Sequence, residues 1–194
     1  MTKTDICNKA LTLNGASPIV NLDDDTNNAR ILNRVYDLSL RSILSETCWN
    51  FATKRKLLAS VDVTLDWYHT GENYTYARPS DAVRLFEASD RYATWREEGD
   101  YILSDTAGLG IKYVHYIDSP SRYTAAFIEA FSDLLASNIA FMVLNSKSQA
   151  EAMLQKYEAL SLPKARSENA QVGMQQEVHD DAWERAKWGT SIDA

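Results

Sequence analysis

Between Ser121 and Asn145 the chain leaves a helix almost no polar surface to show to water. Phe127, Phe131, Leu134, Leu135, Ile139 and Phe141 recur around the helical circle, and Ala126, Ala130, Ala136 and Ala140 let neighbours approach closely. A helix that is apolar on most sides has to sit in the middle of a fold. The rest of the chain must therefore supply the helices and strands that wrap it.

Three segments suit that task. Thr4 reads as the N-cap of a short helix whose Ile6, Cys7, Ala10, Leu11 and Leu13 end at the helix-stop pair Asn14-Gly15. From Thr26 to Glu46, Leu32, Val35, Tyr36, Leu40, Ile43 and Leu44 recur at three- and four-residue steps, with Arg30, Arg34, Asp37 and Arg41 opposite. One stripe is predicted buried and the other charged. The connector between these helices carries Asp23-Asp24-Asp25, which lacks the alternating ligands, glycine turn and distal Glu of a calcium loop. It reads as a charged loop favouring the positive N-terminus of the next helix. After the central segment, Ala150, Met153, Leu154, Tyr157 and Leu160 predict an amphipathic helix over Lys147 to Leu160, stopped or kinked at Pro163.

From Trp49 to Asp118 the pattern changes to β-branched and aromatic residues alternating with polar ones in short runs separated by Gly, Asp and Pro. Glu98-Gly99-Asp100 marks a tight hairpin. The strands are too short to stand alone, so the sheet must pack on the helices. The expected fold is α+β: a mainly α-helical bundle with an inserted small antiparallel β-sheet and an extended C-terminal arm. As one domain over 1–194, its helical part is 1–48 and 120–168, its β-rich insertion 49–119 and its polar arm 169–194.

At 194 residues and 45% hydrophobic the chain can bury roughly 70% of its unfolded surface without staples. Cys7 and Cys48 show no CxxC spacing and are expected as buried free thiols. No uninterrupted apolar start marks a signal peptide and no window of ~18 apolar residues is apparent, so a cytoplasmic site of assembly and no membrane contact are expected. A net charge of −7 argues against a dedicated nucleic-acid binder.

The search for chemistry returns little. His69, His115 and His179 lack metal-ligand spacing and read as structural or solvent-facing. Gly108-Leu109-Gly110 precedes strand residues where a phosphate loop needs a helix, so it is a turn. No nucleophile elbow is present, and Glu97-Glu98 and Asp180-Asp181 are adjacent in sequence, not paired across a recognisable cleft. The reading is non-enzymatic, with no cofactor and no metal. Trp67, Trp95, Tyr74, Tyr76, Tyr92 and Tyr113 crowd the sheet region, either as core and protein interface or as a stacking surface for sugars or bases.

The stretch "ETCWNFATKRKLLAS" joins the long helix to the sheet. If it is a regular strand from Trp49 onward, Trp49 and Phe51 share one face as a wedge between layers. Lys54 and Lys56 then share the opposite face, as a rim that meets an acidic neighbour.

In order along residues 4–170, "SETCWNFATKRKLLAS", "YARPSDAVRLFEAS", "WREEGDYILSD", "IKYVHYID" and "SPSRYTAAFIEAFSDLLASNIA" resemble the head-to-tail adaptors of short-tailed bacteriophages, the tail tubular protein A family. The pieces that carry the likeness together are W-N-F-A-T-x-R, Pro79, Asp81 and Arg84 of a P-x-D-x-x-R run, and an E-G-x-x-I-x-S-D hairpin. The resemblance implies a virion protein of the neck, a ring of copies expected to be twelvefold. Such a ring lies beneath the portal protein, extends the channel through which double-stranded DNA passes, and receives the next tail tube or nozzle protein. No specific nucleic-acid binding is implied. Protein-interface candidates are Trp183 and Trp188 in the arm, with Lys54 and Lys56 on the rim. The sheet aromatics keep open an alternative, a carbohydrate-binding or glycan-hydrolysing tail-associated protein.

Overall fold

The computed structural model describes residues 1–63, 67, 69 and 71–172. Trp183, Trp188 and His179 lie outside the described residues. The architecture is α+β, with helices at both ends of the chain and the strands between them.

Helix α1 (Lys3–Leu13) starts one cap earlier than expected. Thr2 and Asp5 form a reciprocal capping box, and Gly15 takes a φ of +67° just after the C-cap Asn14. Helix α2 (Asn27–Glu46) is capped by Thr26 and buries the predicted stripe of Leu32, Tyr36, Leu40, Ile43 and Leu44. Helix α3 (Ala125–Leu144) begins after a 3₁₀ turn at Pro120–Arg122 and ends on Asn145, which adopts the left-handed conformation. It packs against α1, α2 and the helices that follow it, so it is the central element the composition demanded. By length and composition alone α3 is apolar enough to cross a membrane, against expectation, but 61% of that window is buried inside the fold.

Helix α4 (Lys147–Lys156) does not stop before Pro163. A π-helical turn over Tyr157–Ser161 carries it into α5 (Leu162–Val172). The Leu162 amide reaches back five residues to the Tyr157 carbonyl, so the register change falls just before the proline. Its missing N–H and the ring's clash with the preceding turn are thereby absorbed. α5 also extends four residues into the stretch assigned to the arm.

The strand region forms two three-stranded antiparallel sheets, not one. The first has the order β1 (Thr53–Leu57), β6 (Gly110–His115), β3 (Ala82–Ala88); the second has β2 (Tyr74–Ala77), β5 (Tyr101–Ser104), β4 (Trp95–Glu98). The segment after Leu57, expected as strand, is irregular over Leu58–Val63 apart from one bridge between Ser60 and Tyr76. The β4–β5 hairpin turns at Gly99, whose φ of +58° a side chain would strain.

Register explains how the layers share the first sheet. Tyr113 and Ile111 of β6 face a second core with Leu85, Tyr76, Ile102 and Leu109, while Val114, on the opposite face, joins the helical core. The first sheet is therefore sandwiched between the helices and the second sheet.

Candidate functional site

The α2–β1 junction is tied to the helices and to the first sheet. Trp49 and Phe51 do not lie in a strand: Asn50–Ala52 is a 3₁₀ turn and β1 starts only at Thr53. The wedge forms nevertheless. Trp49 is fully buried, its ring meets Phe127 edge-on at 4.9 Å, and Phe51 meets Phe127 at 4.8 Å and Tyr123 at 5.4 Å.

Two further residues behind the family likeness, Asp81 and Arg84, reach this junction, whereas the hairpin over 98–105 lies in the second sheet. Arg84 donates to the Ser45 carbonyl at 2.7 Å, satisfying a free acceptor at the end of α2. Asp81 accepts from Lys54 Nζ at 2.7 Å and from the Tyr113 hydroxyl at 3.0 Å, and its carbonyl accepts the Tyr116 amide. Burial pushes the Asp81 carboxyl up, but the Lys54 and Tyr113 hydrogen bonds more than offset it and the net shift is downward. From α5, Arg166 pairs with Glu46 at 2.7 Å, and Asn169 accepts the Asn50 amide and donates to the Cys48 carbonyl, both at 2.9 Å. These contacts fasten the sheet to the helices.

Lys54 and Lys56 do share a strand face, but their situations differ. Lys54 is held by Asp81 within the chain, so it is not the free rim charge expected. Lys56 lines a surface cleft of about 450 Å³ at the end of the first sheet away from the helices, together with Arg55, Leu57, Glu87, Ser89 and Lys112. Arg55 and Lys56 are exposed and make no ion pair or side-chain hydrogen bond with another described residue. Lys112 approaches Glu87 at 3.5 Å. Of the three cations lining the cleft, Arg55 and Lys112 stand at paired positions beside the single carboxylate Glu87, and Lys56 follows one residue on along β1.

A second surface lies where α3 emerges from the core. Phe141, Met142 and Leu144 near its C-terminus are exposed, Phe141 by 57%, and so are Leu154 on α4 and Leu160 in the π turn, both expected inside. The π turn redirects the face: Tyr157 stays buried and Ser161 swings onto Asp133, leaving Leu160 outside.

Asp133 is the functional-looking group that sequence reasoning missed. It is completely buried in α3, where its carboxylate accepts from Lys156 Nζ at 2.8 Å and from the Ser161 hydroxyl. An acidic residue inside an otherwise apolar helix was the available signal. His115 is buried too, its Nδ1 2.6 Å from the Ala52 carbonyl, and burial lowers its pKa. Cys7 is fully buried with its thiol pushed up to about 12 by desolvation, and Cys48 is half-buried; both are free. Of the sheet aromatics, Tyr76 and Tyr113 are core, whereas Trp67 and Tyr92 are exposed. Among the described residues no three His, Cys, Asp or Glu side chains gather as a metal site. Comparison with protein-family models and with curated proteins gives no match, so function has to be argued from these surfaces.

Proposed function

We propose that the chain is a structural assembly subunit, a head-to-tail adaptor of a short-tailed bacteriophage that forms a ring beneath the portal and receives the next tail component. The observation that carries the reading is the exposed apolar end of α3 and its neighbours, Phe141, Met142, Leu144 and Leu154. Large apolar side chains exposed near one helix end suit contact with a protein partner. The ordered likeness to the tail tubular protein A family supplies the identity of that partner. Further support comes from Asp81 and Arg84, two of the residues behind the likeness, which serve to fix one layer on another. Such a joint suits a subunit that must hold its shape under load. The net charge of −7 suits a channel that lets DNA pass without gripping its phosphates.

Electron microscopy of the purified chain mixed with rings of a portal protein from the same virus tests the proposal. A ring docked coaxially on the portal is expected; no association in any condition overturns it. Exposed Trp67 and Tyr92 are the observation behind the carbohydrate-binding alternative, which predicts glycan binding or cleavage by the isolated chain.

A further inference from the structure

The basic cleft has a counterpart elsewhere on the same chain. The connector ahead of α2 presents Val20, 91% exposed, beside Asp23, whose carboxylate bonds to no other described residue. The connector is held in shape from within and by the flanking helices: Asp24 accepts the Val20 and Asn21 amides at 2.9 and 3.0 Å, Asn8 of α1 holds Ile19, and Asn33 of α2 holds the Leu22 carbonyl. It is an acidic knob with one apolar side chain, already ordered and therefore cheap to dock. The cleft is its complement, with Arg55, Lys56 and Lys112 around Leu57, itself 71% exposed.

The two surfaces cannot meet in one copy. Arg84 is paired with Val114 and reaches Ser45 at the C-terminal end of α2, while Tyr116 and Asp118, past the end of β6, reach Asp37 and Tyr36 nearer its middle. β6 therefore runs toward the N-terminus of α2, and its first residue, Gly110, lies beyond the opposite end. The knob precedes Asn27, at the far end of a helix about 30 Å long. The cleft spans three strands spaced about 4.8 Å apart, the width of a tight turn of chain rather than of a duplex groove.

We propose that the Val20–Asp25 knob of one copy docks in the Arg55–Lys56–Lys112 cleft of the next, joining copies head to tail. A contact between two different patches repeats from copy to copy and closes into a ring when the rotation allows. This rests on the adaptor reading and assigns one of the ring's lateral contacts.

Charge reversal tests it, read by sedimentation velocity and native mass spectrometry of the full chain, with portal rings present. Asp23→Lys alone and Arg55→Glu/Lys56→Glu alone should each raise the concentration needed for assembly by roughly tenfold or more. Mixed in equal amounts, the two variants should assemble nearly as the wild type does. Each altered knob then faces an altered cleft, and each native knob a native one. Rescue on mixing also establishes that both variants fold. Unimpaired assembly of either variant, or no rescue in the mixture, overturns the proposal while leaving a ring built on other contacts. Loss of duplex DNA binding in the cleft variant with assembly unchanged overturns it in favour of a phosphate site. A wild type that never assembles overturns the adaptor reading and the contact together.

Discussion

Trp49 donates its indole N–H to the carbonyl of Ile43 at 2.8 Å, so a residue three positions past α2 closes back on the last turns of that helix. One side chain thereby satisfies an acceptor at the helix end and fills the corner between α2, α3 and the first sheet. Trp49→Ala should cost about 3–5 kcal/mol in chemical denaturation, through the cavity it leaves. Trp49→Phe keeps an aromatic body and loses the hydrogen bond, for a smaller loss of about 1–3 kcal/mol. A folded Trp49→Ala protein of unchanged midpoint would contradict this placement.

That corner shows what local pattern carries and what it does not. The burial of Trp49 was legible because a large aromatic at a helix end, next to a strand region, has few other places to go. The 3₁₀ turn was not, because alternation over a few residues does not distinguish a strand from a tight turn that also sends Trp49 and Phe51 inward. Helix α2 was legible because twenty residues of periodicity average out local exceptions, and the central position of α3 because its apolar residues leave almost no polar face. The division into two sheets depends on non-local register, with β1 pairing β6 across nearly the whole β region, which no local signal specifies. The cleft was invisible for that reason too. Arg55 and Lys112 become neighbours only through that pairing, and Lys54 is lost to the rim because Asp81 arrives from the turn ahead of β3.

Asp133 is buried with two partners, and only Lys156 carries a compensating charge. Lys156→Ala should leave an uncompensated carboxylate in the core and destabilise by about 3 kcal/mol, somewhat less to the extent that the ammonium is part exposed. Replacing the pair together, Asp133→Leu with Lys156→Leu, removes the charge along with its partner and should be the milder change. Urea denaturation of the three proteins checks the order. A double variant less stable than Lys156→Ala would mean that the Ser161 contact and the π turn, rather than the ion pair, carry the energy.

His115 ties stability to pH through its burial against Ala52. Desolvation holds its pKa below the ordinary 6.5, so in acid the unfolded chain takes up this proton before the folded one does. Stability from this group is full above about pH 6.5 and falls as the pH drops toward the folded value. His115→Asn, which keeps a donor near the Ala52 carbonyl, should flatten the melting temperature against pH between ~5 and ~7 relative to the wild type. An equally steep decline in the variant would assign the acid sensitivity to other groups.

Gly110 lines the cleft and sits tightly against Ser89. A Cβ there would come 2.9 Å from Ser89 Cβ and 3.0 Å from Ser89 Oγ, and neither neighbour is a flexible chain end. The backbone cannot give way easily either. The Gly110 amide donates to Ser89 Oγ at 3.0 Å, its carbonyl accepts the Ser89 amide at 2.8 Å, and it pairs with Leu57 on the other side. Gly110→Ala should therefore cost about 1–3 kcal/mol by overpacking. Ser89→Gly removes both clashing atoms together with one hydrogen bond, so the double variant should recover part of the loss. Its recovery, measured as a double-mutant cycle in urea, isolates the contact between these two residues. If Gly110→Ala is as stable as the wild type, the strands can part at this point, and the cleft between them is not a preformed surface.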